Sequence, residues 1–276
     1  THDQLIQLMV GRDLKDSFKK ENTIMDNEVL RVENLTFRNP ENKNDYLVND
    51  VSFSLREGEI LGISGLMGAG RTELLEAIFG LYPKNVSGRI IIDGKERKIR
   101  SVNDAIAAGI ALVPEDRKLQ GLIINMNVAK NTSLASLDKI SNFHFIDKKK
   151  EAELSKQFIR KLNTKVSSSK QVVEKLSGGN QQKVVIAKWL ATNPKVLLLD
   201  EPTRGIDVGA KSEIYKLISE LAAQGMSIVF VSSELPEILA ISDNILVLSE
   251  SKLTARLSRA EATEEVIMKA ALIEKE

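Results

Sequence analysis

The chain has 276 residues, 42% hydrophobic and 28% charged, enough for a sizeable core with a subdomain and unlike the composition of a disordered segment. Its 39 basic and 38 acidic side chains leave a formal charge of +1, so bulk attraction to nucleic acid or lipid is not implied and no nucleic-acid partner is expected. The chain has no cysteine, which excludes disulfides, thiolate metal sites and thiol catalysis. Its longest strongly apolar runs, such as VLLL at Val196 to Leu199, fall far short of the roughly 20 residues of a membrane span.

Residues 1–28 are polar and broken, ending in KKENTIMDNE, and are expected to be a linker. Thr1 stands in place of an initiator methionine and THDQLIQLM is not an apolar leader. A fragment or processed product working on the cytoplasmic side is therefore expected. VLRVENLTF and YLVNDVSFSL alternate apolar and polar positions about a polar spacer, which predicts two joined strands. ILGISG is an apolar strand running into a glycine loop, and TELLEAIFGL after it has helical periodicity. SGRIIIDGKERKI predicts a hairpin turning at Asp-Gly, and VNDAIAAGIALVPED a short helix, a glycine stop and a buried strand.

From about Arg117 to Val173 the chain turns polar and lysine-rich, with stretches such as KKKEAELSKQFIRKL, and predicts an inserted helical subdomain. LSGG then opens the helix NQQKVVIAKWLATN. PKVLLLDEP is a buried strand ending in two carboxylates, Lys211 to Gln224 a helix, MSIVFVSS a strand, ELPEILAISD a short helix and NILVLSESKLTARL a closing hairpin or edge. Residues 258–276 predict a helical tail. The alternation of strands and helices predicts an α/β fold with a mostly parallel sheet, helices on both faces and functional loops beyond the carboxyl ends of the strands.

GLMGAGRT, spanning Gly65, Leu66, Met67, Gly68, Ala69, Gly70, Arg71 and Thr72, fits the phosphate-loop pattern except that arginine stands at the lysine position. Amides of a glycine-rich turn at a helix N-terminus converge on phosphate oxygens, and the helix dipole adds to the attraction. Thr72 would place its hydroxyl on Mg2+. Arg71 keeps the charge, but its planar fork is not a compact ammonium. Asp200, at the end of an apolar strand, is the expected Mg2+ partner directly or through water, and Glu201 is placed to orient or deprotonate a water. The plain alternatives are a glycine-rich turn and a solvated strand end. The two motifs together, in this order, favour nucleotide binding.

LSGGNQQK, Leu176 to Lys183, resembles the signature of ABC transporter ATP-binding subunits, and the resemblance covers about residues 29–257. It implies the fold of a P-loop NTPase cassette: a mostly parallel core sheet, an antiparallel β subdomain and a helical subdomain at about 117–173. DVSFSLREGEILGISGLMGAGRTELLEAIFG, VPEDRK, LDEPTRGIDVGAK and VSSELPE resemble the carboxy-terminal half of double-cassette sugar importers, and IQLMVGRDL resembles the linker after the first cassette. Within that branch the match of NLTFRNPENKNDYLVNDVSFSL and GLYPKNVSGRIIIDGK looks closest to xylose importers, with ribose and galactose relatives left open.

The resemblance implies ATP and Mg2+ as ligands, with Ser177, Gly178 and Gly179 closing over the γ-phosphate held by a partner cassette. Physically, Ser177 can cap the helix while the two glycines expose amides. Asp207 matches an aspartate that communicates across the cassette pair; its plain reading is a turn carboxylate. The implied partners are an amino-terminal cassette of the same polypeptide, membrane permease subunits and, indirectly, a sugar-binding protein. The implied place is the cytoplasmic face of the membrane.

The departures lie at Arg71, at Glu115 where the family offers glutamine to Mg2+ and the attacking water, a carboxylate that can still bind Mg2+ but adds charge beside the phosphates, and at Ser233 where it has a histidine. Serine cannot supply a cationic donor. Asn39 stands where an adenine-stacking aromatic is usual, leaving Phe37 or Tyr46. Glu201 remains. Phosphoryl transfer needs positioned water, cation and donors together, so three alterations at one place predict a site that binds nucleotide but hydrolyses slowly or not at all. The alternatives are a purely regulatory nucleotide-binding module and a competent soluble ATPase. His2 and His144 are too far apart in sequence to suggest a zinc site.

Overall fold

The computed structural model describes residues 22–42, 44–143 and 145–272. Most of the segment read as a linker, and His2 and His144, lie outside them. Asn22, inside that segment, already meets the body of the protein: its amide donates to the Gly58 carbonyl at 2.7 Å and to Asp243 at 2.9 Å.

The chain opens with β1 (Glu28–Arg38) and β2 (Tyr46–Arg56), antiparallel neighbours, then β3 (Ile60–Gly65) and α1 (Arg71–Ile78). β4 (Val86–Ile92) and β5 (Lys95–Arg97) form a hairpin whose turn residues Asp93 and Gly94 have φ of 48° and 71°, the left-handed pair that a tight hairpin demands. α2 (Val102–Ala107) begins at Ser101, whose side chain accepts from the Asp104 amide, and β6 (Ile110–Val113) follows.

A single π-helical turn at Arg117–Gly121 leads to α3 (Val128–Ser133), α4 (Leu137–Ile140), the two-residue strands β7 (Ser141–Asn142) and β8 (Phe145–Ile146), and α5 (Lys148–Lys161). The stretch read as helical thus also holds a small hairpin. The isolated Phe-Ile pair is too short to carry an alternating pattern, so periodicity gave no sign of it. α6 (Gly178–Leu190), β9 (Val196–Asp200), α7 (Val208–Ala223), β10 (Ser227–Val231), α8 (Leu235–Ile241), β11 (Asn244–Ser249), β12 (Lys252–Ser258) and α9 (Glu264–Ala271) complete the fold.

Two sheets result. The antiparallel one runs β2-β1-β4-β5; the other runs β12-β11-β3-β10-β9-β6, parallel except for its edge strand β12. The period of two sends alternate side chains of the parallel strands to opposite faces. Leu197, Leu199, Ile228 and Phe230 join a core with α6, α7, α8 and α9, while Leu198, Val229 and Val231 join a second core with α1 and the antiparallel sheet. Leu74, Leu75 and Ile78 of α1 are fully buried in that second core. Each contributes roughly 1.5–3 kcal/mol of transfer free energy, which anchors the helix that starts at the phosphate-loop sequence. α9 closes the first core, with Ile267 buried and the Ala271 carbonyl accepting from the Ser249 hydroxyl at 2.8 Å. Among the described residues no helix is long and apolar enough to cross a membrane.

Candidate functional site

β3, β10 and β9 lie side by side in parallel register, with Ile63 opposite Val231 and Val231 opposite Asp200. Their carboxyl ends therefore deliver the glycine loop, Ser233 and the Asp200-Glu201 pair to one edge of the sheet. A cavity of about 420 Å³ opens there, lined by all eight residues Gly65 to Thr72 together with Glu73, Glu115, Glu201, Arg204 and Ser233. Residues read from three separate motifs are thus brought together.

Within the loop Gly68 has φ 82° with open space around it, and Met67 is almost fully exposed. Gly70 has φ 93°, and a Cβ there would lie 2.3 Å from the Leu47 carbonyl oxygen, so the turn requires glycine. Gly70 caps α1 without any side-chain hydrogen bond, which leaves first-turn amides open beside the cavity, an arrangement that favours an anion.

Glu201 holds φ 43°, uncommon for a residue with a side chain and the kind of local strain that clusters at functional sites. Arg71 Nη1 lies 3.3 Å from its Oε1, and the Ser233 hydroxyl donates to its Oε2 at 3.1 Å. The Arg71 and Glu201 side chains are only 12% and 10% exposed, so this pair is largely shielded from water. Two of the three unusual residues thus meet on the two oxygens of one carboxylate.

Asp200 is buried, and its Oδ1 has no hydrogen-bond partner. Burial pushes its carboxyl up to about 6, against the pull of a hydrogen bond from Thr72 and with Glu201 adding to the rise. An orphaned carboxylate oxygen beside a hydroxyl suits a hard divalent cation such as Mg2+, so Thr72 and Asp200 fit that ion. Among the described residues no three His, Cys, Asp or Glu gather as a metal cage. Mg2+ usually takes one or two protein oxygens and completes its shell with water and phosphate.

Glu115 lines the cavity wall but is ion-paired with Arg204. Arg117, two residues on, donates to the carbonyls of Arg204 and Gly205 at 2.7 and 2.9 Å. A second cavity of about 450 Å³ shares Thr72, Glu115 and Arg204 with the first. Arg204 is the participant that the motif reading missed, although it stands in the quoted LDEPTRGID.

The remaining candidates line neither cavity, although a Cβ on Gly178 would come within 3.1 Å of the Arg117 guanidinium, which lines the second. Ser177 occupies the N-cap place of α6, but its hydroxyl accepts from the side-chain Nδ2 of Asn180 at 2.8 Å instead of capping a backbone amide, correcting the expectation of a capping serine. Gly178 and Gly179 open α6; a Cβ on Gly179 would come within 2.6 Å of the Ala210 Cβ, so close packing of α6 on α7 also requires that glycine. Asp207 caps α7 by accepting from the Ala210 amide at 2.9 Å. Phe37 is buried and its ring stacks on Tyr82 at 5.1 Å, so it has no free face for an adenine. Tyr46 is half-buried under the Arg38 guanidinium, and the carbonyl of its neighbour Leu47 lies against Gly70.

Residues 48–204 match the family model described as ABC transporter. Over 272 residues the chain is 50% identical to the ribose import ATP-binding protein RbsA of Rhodopirellula baltica, covering 99% of this chain and 53% of that protein. It is 49% identical over 273 residues to the xylose import ATP-binding protein XylG of Escherichia coli K12, with the same coverage. The chain spans about half the length of the curated relatives it matches. Among solved structures, a nucleotide-free ATP-binding cassette from an ABC transporter superposes with a TM-score of 0.76 at 21% identity, covering 90% of this chain and all of that one. The cbiO1 protein of Clostridium perfringens superposes at 0.71 with 25% identity, covering 90% of this chain and 96% of that one.

Proposed function

The chain belongs to the ABC transporter family, and on that premise we propose that it is the second ATP-binding cassette of a monosaccharide importer, pentose-like with xylose favoured. Its role is to complete the ATP site of an amino-terminal cassette on the same polypeptide. In this reading residues 1–28 join the two cassettes, 29–257 form the cassette itself with its helical part at about 117–173, and 258–276 form a helical extension. The whole protein sits on the cytoplasmic face of the membrane, against permease subunits served by a sugar-binding protein. The names of the relatives at 49% and 50% identity support the sugar-import assignment.

The cassette's own cavity holds nucleotide through the amides of Gly65 to Thr72, with Tyr46 the remaining aromatic for the base. Thr72 and Asp200 would hold Mg2+, which supplies charge neutralisation of the phosphates when bound. The observation that carries the rest is the engagement of Arg71 and Ser233 on Glu201. A carboxylate whose two oxygens are occupied by an arginine and a hydroxyl is a poor acceptor for a water proton. Hydrolysis at this site is therefore slow, and the chain serves turnover through Ser177, Gly178 and Gly179, whose open helix end faces the partner's γ-phosphate, with Asp207 at the junction of the two cassettes. The same engagement favours, for the isolated cassette, a nucleotide-binding module without turnover.

Calorimetric titration of the chain with ATP, with and without Mg2+, tests the binding half. Saturable binding strengthened by Mg2+ is expected. A flat titration at millimolar ATP would remove nucleotide from this site and leave only the donation of the signature.

A further inference from the structure

Five charged side chains line the phosphate-loop cavity: Arg71, Glu73, Glu115, Glu201 and Arg204. Arg71 is turned onto Glu201 and nearly buried there. Arg204 is different, since its side chain is 67% exposed and its ion pair among the described residues is with Glu115 on the cavity wall.

The backbone that carries Arg204 is fixed on every side. Its amide donates to the Glu201 carbonyl at 3.0 Å, Arg117 holds its own carbonyl and that of Gly205, and the preceding Thr203 hydroxyl donates to buried Glu237 at 2.7 and 2.9 Å. A long, exposed guanidinium on a rigid base can change partners without moving the turn. Its planar fork grips a phosphate as well as a carboxylate, in both cases through paired donors.

We propose that Arg204 is the terminal-phosphate ligand of this cavity, stored on Glu115 when the cavity is empty and transferred to the γ-phosphate when ATP, and not ADP, is bound. The proposal rests on the reading that nucleotide phosphates occupy the Gly65–Thr72 loop. It gives the site a cation in place of the donors missing at Arg71 and Ser233. It also makes Glu115 a competitor for that cation, so the Arg204–Glu115 pair sets how strongly the site distinguishes triphosphate from diphosphate.

The test is the affinity of the full chain for MgATP and for ADP, measured by calorimetry in the natural protein and in R204A, R204K, E115Q and the E115Q/R204A double variant. R204A is expected to weaken MgATP about tenfold or more, as loss of one charge-assisted pair to phosphate should, while ADP changes by less than about twofold. R204K is expected to recover only part of the loss, because an ammonium lacks the fork. E115Q leaves the turn intact and is expected to tighten MgATP severalfold, a gain that disappears in the double variant. Equal losses for ATP and ADP in R204A would mark Arg204 as a structural part of the turn and overturn the proposal, as would an E115Q gain that survives without Arg204. Natural protein that binds neither nucleotide would instead refute the reading beneath it, and the proposal with it.

Discussion

Glu201 and Glu237 are both buried carboxylates near the same strand ends, yet their surroundings are opposite. Glu237, on α8, accepts from Thr203 at 2.7 and 2.9 Å, Tyr215 at 2.6 Å, Ser232 at 2.7 Å and Lys211 at 2.9 Å, and is 1% exposed. Burial alone would raise its carboxyl, but these hydrogen bonds win and hold it below the ordinary carboxylate range. Glu201 faces a cavity with one contact on each oxygen, and the neighbouring Asp200 has an oxygen with none. A fully satisfied buried charge is a joint: it ties the turn after β9 to the end of β10 and to α7. An under-satisfied charge beside a cavity, as at Asp200, costs stability in the empty protein and is retained for what it binds.

That contrast is most exposed to test at Glu237. E237A leaves four donors facing a void, one of them an ammonium, and is expected to lower unfolding stability by about 3–5 kcal/mol in urea titrations. A loss below about 1 kcal/mol would remove the distinction between joint and site. Depressed in the fold, Glu237 contributes stability present above the unfolded-state value and lost as pH falls through its folded value.

Lys188 extends the comparison to a cation. Its Nζ donates to the Gly121 carbonyl at 2.6 Å and lies 4.9 Å from the Trp189 ring centre, and burial pushes it down to about 8. Between about 8 and 10.5 the unfolded chain binds the proton that the fold releases, so this residue makes stability rise with pH across that window and adds its full penalty below it. Relative to K188M, the natural protein is expected to gain about 3 kcal/mol between pH 7 and pH 10.5. Parallel pH curves for the two proteins would show that the amine is not desolvated.

Asp200 gives an effect of similar size to Lys188 and of opposite sense to Glu237. Its raised carboxyl contributes stability that is complete below the unfolded-state value near 3.8 and lost as pH rises through about 6. In metal-free buffer at pH 7.5, D200N is therefore expected to be more stable than the natural chain by about 3 kcal/mol, while losing the Mg2+ dependence of nucleotide binding. A destabilised D200N would place Asp200 with Glu237, as part of the framework.

The antiparallel strands β1 and β2 were legible because apolar and polar side chains alternate, the parallel strands because they are short unbroken apolar runs buried on both faces, and the Asp-Gly turn between β4 and β5 needs the left-handed pair found there. The cavity was legible for the same reason, since three motifs placed at strand ends must meet in a parallel sheet. Phe37 was misjudged because β1 is irregular near Asn34, which has φ 50°; Val32, Leu35 and Phe37 share the buried face although the first two are three residues apart. Arg204 on Glu115, Lys188 on Gly121 and the convergence on Glu237 are contacts between segments far apart in the chain, and no local period records them. The hydroxyls and charges that build them look, in sequence, like an ordinary polar surface.

The proposed function is an unequal pair of ATP sites, in which this cassette would bind nucleotide and lend its signature while hydrolysing slowly or not at all. Single-turnover hydrolysis by the full protein carrying E201Q, beside the protein with the equivalent substitution in its other cassette, measures that inequality directly. The account predicts nearly unchanged hydrolysis in E201Q and a loss of at least a hundredfold in the other variant, as removal of a water-positioning group from a working site should give. Comparable losses in both would contradict it.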